Sequence, residues 1–292
     1  MTFDNIAFYT SIPTITFSGV ENDPSSAKVL ILGVPFDSTS SRMPGSRLAP
    51  KRIREASWEL ESYNPYVGKD LEELPIADLG DINPTTNFVQ LDKVMKKVLE
   101  KIDFHDKILV TIGGEHIISY PILDYLLTHY NIGIIVFDAH LDLRDEYPVN
   151  DKFTHATIFR RIHENHNPKI YYYKPRAFSK EEYEYAIGKN TIFLIKNKDK
   201  LIKIIKNTTS YLYISIDIDA IDPSFAPGVG NPEPLGLYPT EIMNIIDLIT
   251  SLAKDRIIGL DLVEVNPLVD VNDITSFLAA KIIQETIFKL FD

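Results

Sequence analysis

The chain has 292 residues, with 41 acidic against 30 basic side chains, and it contains no cysteine. Its net charge of −11 argues against a nucleic-acid binder, which needs a basic surface. Without cysteine the chain forms no disulfide, zinc–thiolate site or iron–sulfur cluster, so any metal must be held by imidazole and carboxylate groups.

The composition and the absence of a linker indicate one folded domain. Hydrophobic residues make up 45% of the chain, as in globular proteins, and no Gly/Ser-rich segment, internal repeat or long charge block divides it. We therefore expect a single domain over residues 1–292. No basic residue precedes Lys28 and no run of about 18 apolar residues occurs, so we expect no secretory signal, no membrane segment and a cytoplasmic location.

Eight short runs rich in Val, Ile, Leu and Tyr predict strands. Most are apolar on consecutive residues, as are strands covered by helices on both faces. In chain order the runs are residues 29–34, 74–79, 107–112, 132–138, 169–173, 191–195, 211–219 and 257–263. Helical patterns occur at residues 49–60, 91–102, 117–130, 179–187, 240–252 and 273–290. The predicted fold class is α/β, a three-layer α/β/α sandwich around a mainly parallel, eight-stranded sheet.

The end of the fourth predicted strand carries Asp138, His140 and Asp142 at two-residue spacing. Side chains alternate between the faces of a strand, so these three are expected to point the same way, roughly 6.6 Å apart. In open α/β sheets the loops beyond the carboxyl ends of strands are where ligands bind. This segment is therefore a candidate row of metal ligands.

Two other strand ends offer further ligands. Asp217 and Asp219 end the strand predicted at residues 211–219, and His116 follows two glycines that would let the backbone turn tightly. A lone Asp-x-His motif is more often a hydrogen-bonded pair than a metal site. Four carboxylates that emerge from apolar strands, however, would repel one another unless a cation neutralised them. Six ligands without sulfur suit two hard or borderline divalent ions such as manganese better than a structural zinc.

Four sequence blocks resemble the signature set of the ureohydrolases, the arginase and agmatinase family. They are residues 113–116 (Gly-Gly-Glu-His), 138–142 (Asp-Ala-His-Leu-Asp), 215–223 and 264–267 (Glu-Val-Asn-Pro). Residues 33–37, 42–47 and 226–230 resemble the agmatinase branch in particular. The resemblance implies an arginase-like domain with an eight-stranded parallel sheet, which agrees with the strands predicted above. It also implies assembly as a homo-oligomer, a trimer or a hexamer.

The resemblance further implies two Mn²⁺ ions per chain, bridged by Asp138 and Asp217. One ion would be held by His116, Asp138, Asp142 and Asp217, and the other by Asp138, His140, Asp217 and Asp219. Two such ions about 4 Å apart share a water and lower its pKa, which makes a bridging hydroxide available at neutral pH.

Three residues receive catalytic roles from the resemblance. Glu264 would grip the guanidinium nitrogens of the substrate by charge-assisted hydrogen bonds. Asp142 would accept the proton of the hydroxide and pass it to the departing amine. His155 would shuttle protons and position the substrate. The other histidines, His105, His129, His163 and His166, match no block and are interpreted as surface or core residues.

Residues 143–154 favour a small cationic guanidino substrate. Where arginases carry small polar residues that hold an α-amino acid, this segment is acidic and aromatic, which suits a second ammonium group. The predicted reaction is therefore the hydrolysis of agmatine to putrescine and urea. N1-aminopropylagmatine, guanidinobutyrate and arginine are alternative substrates, and Arg144 leaves room for an acidic one. A non-catalytic metal-binding homologue and an arginase-fold deacetylase with one zinc are the alternative classes.

The chain departs from the family pattern at two places. Ile117 and Ile118 follow the Gly-Gly-x-His block, where family members often have serine. Lys174 and Pro175 precede Arg176, where agmatinases usually have glycine and an aliphatic residue. Neither touches a proposed ligand, but the second is expected near the distal end of the substrate.

Overall fold

The computed structural model describes residues 6–11 and 13–292. The strands of this part of the chain are β1 (Thr10–Ser11), β2 (Val29–Val34), β3 (Tyr63–Asn64), β4 (Lys69–Asp70), β5 (Ile76–Ile82), β6 (Ile108–Gly113), β7 (Ile132–Phe137), β8 (Lys169–Tyr173), β9 (Ile192–Ile195), β10 (Tyr211–Asp217) and β11 (Ile257–Val263). Its α-helices are α1 (Ala49–Trp58), α2 (Phe88–Leu99), α3 (Ser119–His129), α4 (Ile158–His166), α5 (Lys180–Ile187), α6 (Lys198–Asn207), α7 (Pro239–Ala253) and α8 (Ile274–Leu290).

One large sheet organises the fold. Its nine strands follow the order β1-β5-β2-β6-β11-β10-β7-β8-β9, while β3 and β4 form a separate hairpin. All neighbours are parallel except β1, which pairs with β5 in antiparallel orientation. The eight predicted strands are all present, but the predicted count of eight is wrong by one. The additional strand β1 has only two residues, too few to produce an apolar run, and is held by main-chain pairing with the sheet edge.

Helices cover both faces of this sheet and create two hydrophobic cores. Along β2 the buried side chains alternate, with Val29 and Ile31 in one core and Leu30 and Leu32 in the other. Helices α1, α6, α7 and α8 contribute to the first core and α2, α3, α4 and α5 to the second. The predicted three-layer α/β/α class is therefore confirmed. Among the described residues, no helix combines the length and apolar character needed to cross a bilayer.

The predicted helices form because apolar periodicity and end signals agree. In α7, Ile242, Ile245, Ile246 and Ile249 are buried at helical spacing, and Pro239 occupies the first turn, where no intrahelical N–H donor is needed. At the start of α2 the side chain of Asn87 caps the main-chain N–H of Gln90. Helices α4 and α6 were not among the sequence predictions.

Two predicted strands end earlier than expected. Strand β7 ends at Phe137 rather than residue 138, and β10 ends at Asp217, after which Ile218–Ala220 form a 3-10 turn. The expected alternation of Asp138, His140 and Asp142 along a strand is therefore wrong. These residues belong to the loop after β7, in which Asp142 has a φ of 50°.

Candidate metal centre and active site

The candidate site lies at the carboxyl ends of the four central strands. Four adjacent strands lead to it: β6 is followed by His116, β11 by Glu264 and β7 by Asp138, and β10 ends at Asp217. Because parallel neighbours end at one edge of the sheet, residues far apart in the chain meet there. The structure brings together all six predicted ligands, His116, Asp138, His140, Asp142, Asp217 and Asp219.

His116 is the centre of one half of this cluster. Its Nδ1 lies 3.1 Å from an oxygen of Asp142, 3.2 Å from Oδ2 of Asp138 and 3.4 Å from an oxygen of Asp217. All of these side chains are buried. One imidazole nitrogen and three carboxylate oxygens therefore surround a common point, in an arrangement suited to a cation.

His140 is the centre of the other half. Its Nδ1 lies 2.9 Å from Oδ2 of Asp219 and 3.5 Å from Oδ1 of Asp138. Asp138 thus presents one oxygen to each histidine, so that the two halves share this carboxylate. The potential ligand atoms in the group His116, Asp138 and Asp142, and in the group Asp138, His140 and Asp219, lie within 4.8 Å of one another.

Two buried atoms of the cluster indicate that it is built for a metal. Nδ1 of His116 and Oδ2 of Asp138 are buried, yet neither makes a hydrogen bond within the described part of the chain. Such atoms are costly unless something compensates for their lost hydration. Imidazole nitrogen and carboxylate oxygen, without sulfur, are ligands that suit manganese and similar divalent ions. Such a cation would therefore compensate both atoms.

The carboxylates of the cluster are hard to ionise together. Burial, followed by the charge of Asp138, raises the pKa of Asp142 to about 7. Burial and the neighbouring Asp219 and Asp138 raise the pKa of Asp217 well above its ordinary value. A bound cation would remove this repulsion and displace the protons, so metal affinity should increase with pH.

A hydrogen-bond chain behind His116 fixes the orientation of its ring. The Ser215 hydroxyl donates its only proton to Oδ1 of Asp261 at 2.7 Å, and it also lies 3.0 Å from Nε2 of His116. Ser215 must therefore accept from Nε2–H, which leaves Nδ1 of a neutral His116 as the acceptor facing the carboxylates. Tyr213 donates to the other oxygen of Asp261 at 2.7 Å. Ser215 and Asp261, which the sequence interpretation did not assign, are buried polar residues in apolar strands, and that contrast is the signal in the sequence.

The approach of the chain to His116 depends on a close contact rather than on an unusual turn. The chain does bend at Gly114 and Glu115 after β6, but neither Gly113 nor Gly114 has a positive φ, so the bend itself does not require glycine. A Cβ on Gly114 would instead lie 1.9 Å from the main-chain oxygen of Phe36. Only glycine therefore allows β6 to pass the loop after β2 and to place His116 in the centre.

Glu264 lies at the floor of the site. Its carboxylate is half-buried and accepts a hydrogen bond from the main-chain N–H of His116 at 2.8 Å. Its own main-chain N–H donates to Gly114, and its φ is 66°. Burial, together with the charge of Glu115, raises its pKa well above the ordinary value. A cationic guanidinium would offset this burial penalty through charge-assisted hydrogen bonds.

His155 stands on the wall of the site and depends on a second network. Its main-chain N–H donates to the hydroxyl of Thr39 at 3.0 Å, and its Nδ1 lies 3.4 Å from the same oxygen. The main-chain N–H of Thr39 donates to both carboxylate oxygens of the buried Glu115. Burial lowers the pKa of His155 to about 4, so the ring is neutral at physiological pH.

An open cleft of about 390 Å³ leads from solvent to this centre. Arg144 lies on its wall, 5.0 Å from the ring centre of Tyr147 and 3.8 Å from the carboxylate of the buried Glu182. The other lining residues are Ser41, His140, Asp142, His155, Ala156, Ala177, Phe178, Ser179 and Asn231. At its deep end Asn231 and His155 meet Asp217, Asp219 and Glu264. The cleft is large enough for an elongated small molecule whose one end reaches the cluster.

The two departures from the family pattern do not line this cleft. Lys174 donates a hydrogen bond to Glu241 at 2.5 Å and lines a neighbouring groove with Pro175, and Phe178 borders both this groove and the cleft. Ile117 and Ile118 are fully buried in the hydrophobic core.

The four remaining histidines also lie outside the residues that line the cleft. His163, for example, is buried between Tyr185 and Thr191, with hydrogen-bond distances of 2.7 and 2.9 Å.

Known proteins share this sequence and this fold. Residues 27–289 match the model of the Arginase family. Agmatinase from Bacillus cereus is 35% identical over 91% of this chain and 93% of its own length. Guanidino acid hydrolase, mitochondrial, from Homo sapiens is 32% identical over 93% of this chain and 80% of its own length. The crystal structure of agmatine ureohydrolase of Thermoplasma volcanium superposes with a TM-score of 0.87 and 33% identity, covering 96% of this chain and 95% of that one. This chain therefore belongs to the arginase family, in its agmatinase branch, and is a ureohydrolase.

Proposed function

We propose that the protein hydrolyses the guanidinium group of agmatine to putrescine and urea with two Mn²⁺ ions per chain. The observation that carries this proposal is the position of the half-buried Glu264 carboxylate beside a His/Asp cluster whose two halves share Asp138. A guanidinium bound to Glu264 would place its central carbon next to the cluster. The agmatinases among the relatives support the choice of substrate.

The six clustered side chains would hold the two ions. One ion would bind His116, Asp138, Asp142 and Asp217, and the other Asp138, His140, Asp217 and Asp219. When bound, two divalent ions supply Lewis acidity that lowers the pKa of water and so provides a nucleophile at neutral pH.

The chain's own residues perform the remaining tasks. Glu264 binds the guanidinium and holds its plane, because its carboxylate accepts from two N–H groups of the substrate. Asp142 takes the proton of the attacking water and returns it to the departing amine, because its carboxylate belongs to the cluster and also lines the cleft that the substrate would enter. His155, neutral at this pH, orients the substrate from the opposite wall and passes protons to solvent.

Residues on the cleft wall favour agmatine as the substrate, and one of them favours a second candidate substrate. The aromatic ring of Tyr147 lines the distal part, and Glu182 offsets the charge of Arg144. The Arg144 guanidinium nevertheless faces the cleft, and a relative at 32% identity is a guanidino acid hydrolase, which favours guanidinobutyrate as the second candidate. N1-aminopropylagmatine and arginine are the further alternatives.

Urea release from these substrates tests the proposal. Manganese-loaded protein is incubated with agmatine, N1-aminopropylagmatine, guanidinobutyrate or arginine, and kcat/KM is compared. We expect the largest value for agmatine. A larger value for guanidinobutyrate would assign Arg144 to a substrate carboxylate, and no urea from any of the four would refute the proposed function.

Metal content separates the alternative classes. Two ions per chain agree with guanidine hydrolysis, whereas a single zinc would indicate a deacetylase. Metal analysis of the purified protein after loading with manganese measures this number. We further propose that the protein acts in the cytoplasm as a homo-oligomer, a trimer or a hexamer, which cell fractionation and light scattering test.

A further inference from the structure

Arg176 connects three segments that surround the candidate metal centre. It follows β8, and its guanidinium donates to four main-chain carbonyls. Nη2 donates to Asp219 at 2.8 Å and to Glu233 at 2.6 Å, Nη1 to Ala220 at 3.1 Å and Nε to Pro234 at 3.0 Å. Carbonyls that converge on one guanidinium are held in a fixed relative arrangement, because the donor fork is planar and rigid.

The main chain at Arg176 closes this network into a ring. The N–H groups of Arg176 and Ala177 both donate to the carbonyl of Ala139 at 2.8 Å. The N–H of Ala139 donates to Oδ1 of Asp219 at 3.0 Å, and the carbonyl of Asp219 accepts from Arg176. The ring therefore passes through Ala139, which lies between two proposed ligands, and through the ligand Asp219 itself.

The ring acts most directly on one half of the cluster, although Asp138, which precedes Ala139, also belongs to the other half. It fixes the loop after β7 against the turn after β10, and these segments carry His140 and Asp219, whose side chains lie 2.9 Å apart. His116 in the other half is oriented by Ser215 and Asp261, neither of which contacts Arg176 in the hydrogen-bond network. The two halves thus share Asp138, but the histidine of each half has its own support.

We propose that Arg176 is a positioning residue for the metal position formed by Asp138, His140 and Asp219, and that the His116 position does not depend on it. The inference rests on the proposed two-metal function. Through Glu233 and Pro234 the same side chain also fastens the loop that carries Asn231 into the cleft. Loss of Arg176 should therefore weaken the binding of one of the two metal ions and leave the affinity for the other unchanged.

Manganese binding to single variants tests this proposal. Arg176→Lys keeps the positive charge but lacks the planar guanidinium. Arg176→Met removes the guanidinium and with it all four hydrogen bonds to main-chain carbonyls. Calorimetric titration of metal-stripped protein should show two sites in the wild type and, in both variants, one site weakened about 10- to 100-fold, as for other residues behind metal ligands. Electron paramagnetic resonance at limiting manganese should change from a coupled pair to a single-ion signal. Excess manganese should restore kcat, which a general folding defect would prevent.

Arg256→Lys is the matched control. Arg256 also donates to four main-chain carbonyls, those of Thr208, Ser210, Ile205 and Leu252. It precedes β11 and so lies at the opposite, amino end of the strands. We expect this variant to bind both ions with wild-type affinity.

A double variant locates the effect. His140→Ala should abolish one manganese site, and adding Arg176→Lys to it should leave the remaining affinity unchanged. Unchanged binding of both ions in the two Arg176 variants, or equal weakening of both, would overturn the proposal. Fewer than two ions on the wild type would instead refute the proposed two-metal function, so the two failures are distinguishable.

Discussion

At the scale of single residues, buried hydrogen bonds decide which atoms are available for chemistry. Ser215 can give its proton to only one acceptor, and because Asp261 takes it, the neighbouring ring of His116 must present Nδ1 to the carboxylates. The hydroxyl of Thr39 likewise contacts His155, at both its main-chain N–H and its Nδ1. The proposed chemistry thus depends on uncharged hydroxyl groups as much as on the acids and histidines they contact.

Replacement of Glu264 by Gln should remove activity without removing metal. The carboxylate is half-buried in the free protein and would be desolvated by a bound guanidinium. Loss of one partner of such a charge pair costs about 2 kcal/mol or more, so kcat/KM for agmatine should fall by at least about 30-fold. Urea release and metal content are measured on the same preparation. Glu100→Gln, on an exposed carboxylate after α2, serves as the control. Unchanged urea release by the variant would contradict the role of Glu264, whereas bound metal without urea release from either protein would favour the non-catalytic metal-binding homologue.

His155 should make the stability of the metal-free protein depend on pH. Its pKa is lowered to about 4 from the ordinary 6.5 because burial disfavours the charged ring. As the pH falls, His155 therefore binds a proton in the unfolded chain before it does so in the folded chain, which lowers the free energy of unfolding. The contribution of neutral His155 to stability is complete above pH 6.5 and is lost toward pH 4.

The comparison with His155→Asn measures this effect. The difference in unfolding free energy between wild type and variant should decrease steadily from pH 7 to pH 4.5 in denaturant titrations. A difference that stays constant, or a His155 resonance that titrates near its ordinary pKa, would contradict the prediction.

At the scale of elements, α1 is tied to the sheet by a buried ion pair. Arg54 is 1% exposed and donates to both oxygens of Asp78, at 2.7 and 2.9 Å, and to Asp81 at 2.5 Å. Two residues earlier on the same helix, Arg52 contacts Asp273 but keeps 40% of its side-chain surface exposed. The same residue type therefore serves as a buried connection and as a surface contact within one turn of helix.

Arg54→Met and Arg52→Met should have very different effects on stability. Removal of Arg54 leaves two carboxylates without their buried partner, which costs about 3–5 kcal/mol, whereas an exposed pair contributes about 0–1 kcal/mol. Urea unfolding of the two variants measures the difference. Equal losses of unfolding free energy in the two variants would show that the buried ion pair stabilises the fold no more than the exposed one.

The elements show what apolar patterns can and cannot predict. All eight parallel strands produce apolar runs because both of their faces are buried, and six helices show the 3.6-residue period. Helix α4 was missed because Arg161 and His163 are buried on its apolar side and interrupt the pattern. Helix α6 had a usable signal, since Asn197 caps it and Leu201 and Ile205 are buried one turn apart.

Polar spacing is a weaker guide than apolar spacing. The two-residue period of Asp138, His140 and Asp142 imitates a strand, yet the ladder stops at Phe137, because hydrogen bonds rather than side-chain spacing determine where a strand ends. The spacing nevertheless identified residues that the structure brings together. The supporting residues Ser215, Asp261 and Arg176 were not assigned because they act through contacts distant in sequence.

At the scale of the whole molecule, the sheet separates two cores and carries the candidate site at one edge. Because both cores pack on the same strands, we propose that residues 1–292 unfold as a single domain. Far-UV circular dichroism and fluorescence of Trp58, the last residue of α1, should then report coincident transitions in urea. Two separated transitions would divide the chain into more than one unit.

Removal of metal should destabilise the whole fold. The clustered carboxylates repel one another without a cation, and a ligand present at about a thousand times its Kd stabilises the folded state by about 4 kcal/mol. Thermal melting of chelator-treated protein should therefore occur at a lower temperature, with recovery on addition of manganese. An unchanged Tm would mean that the cluster binds no ion under these conditions.

The position of β11 has a consequence for biosynthesis. This late strand lies between β6, which leads to His116, and β10, which ends at Asp217. Until it is inserted, these two strands have no common neighbour in the sheet. A nascent chain can therefore bring His116 to the cluster only after residue 263 has left the ribosome, whereas β7 and β10 pair directly and can bring Asp138, His140 and Asp219 together earlier.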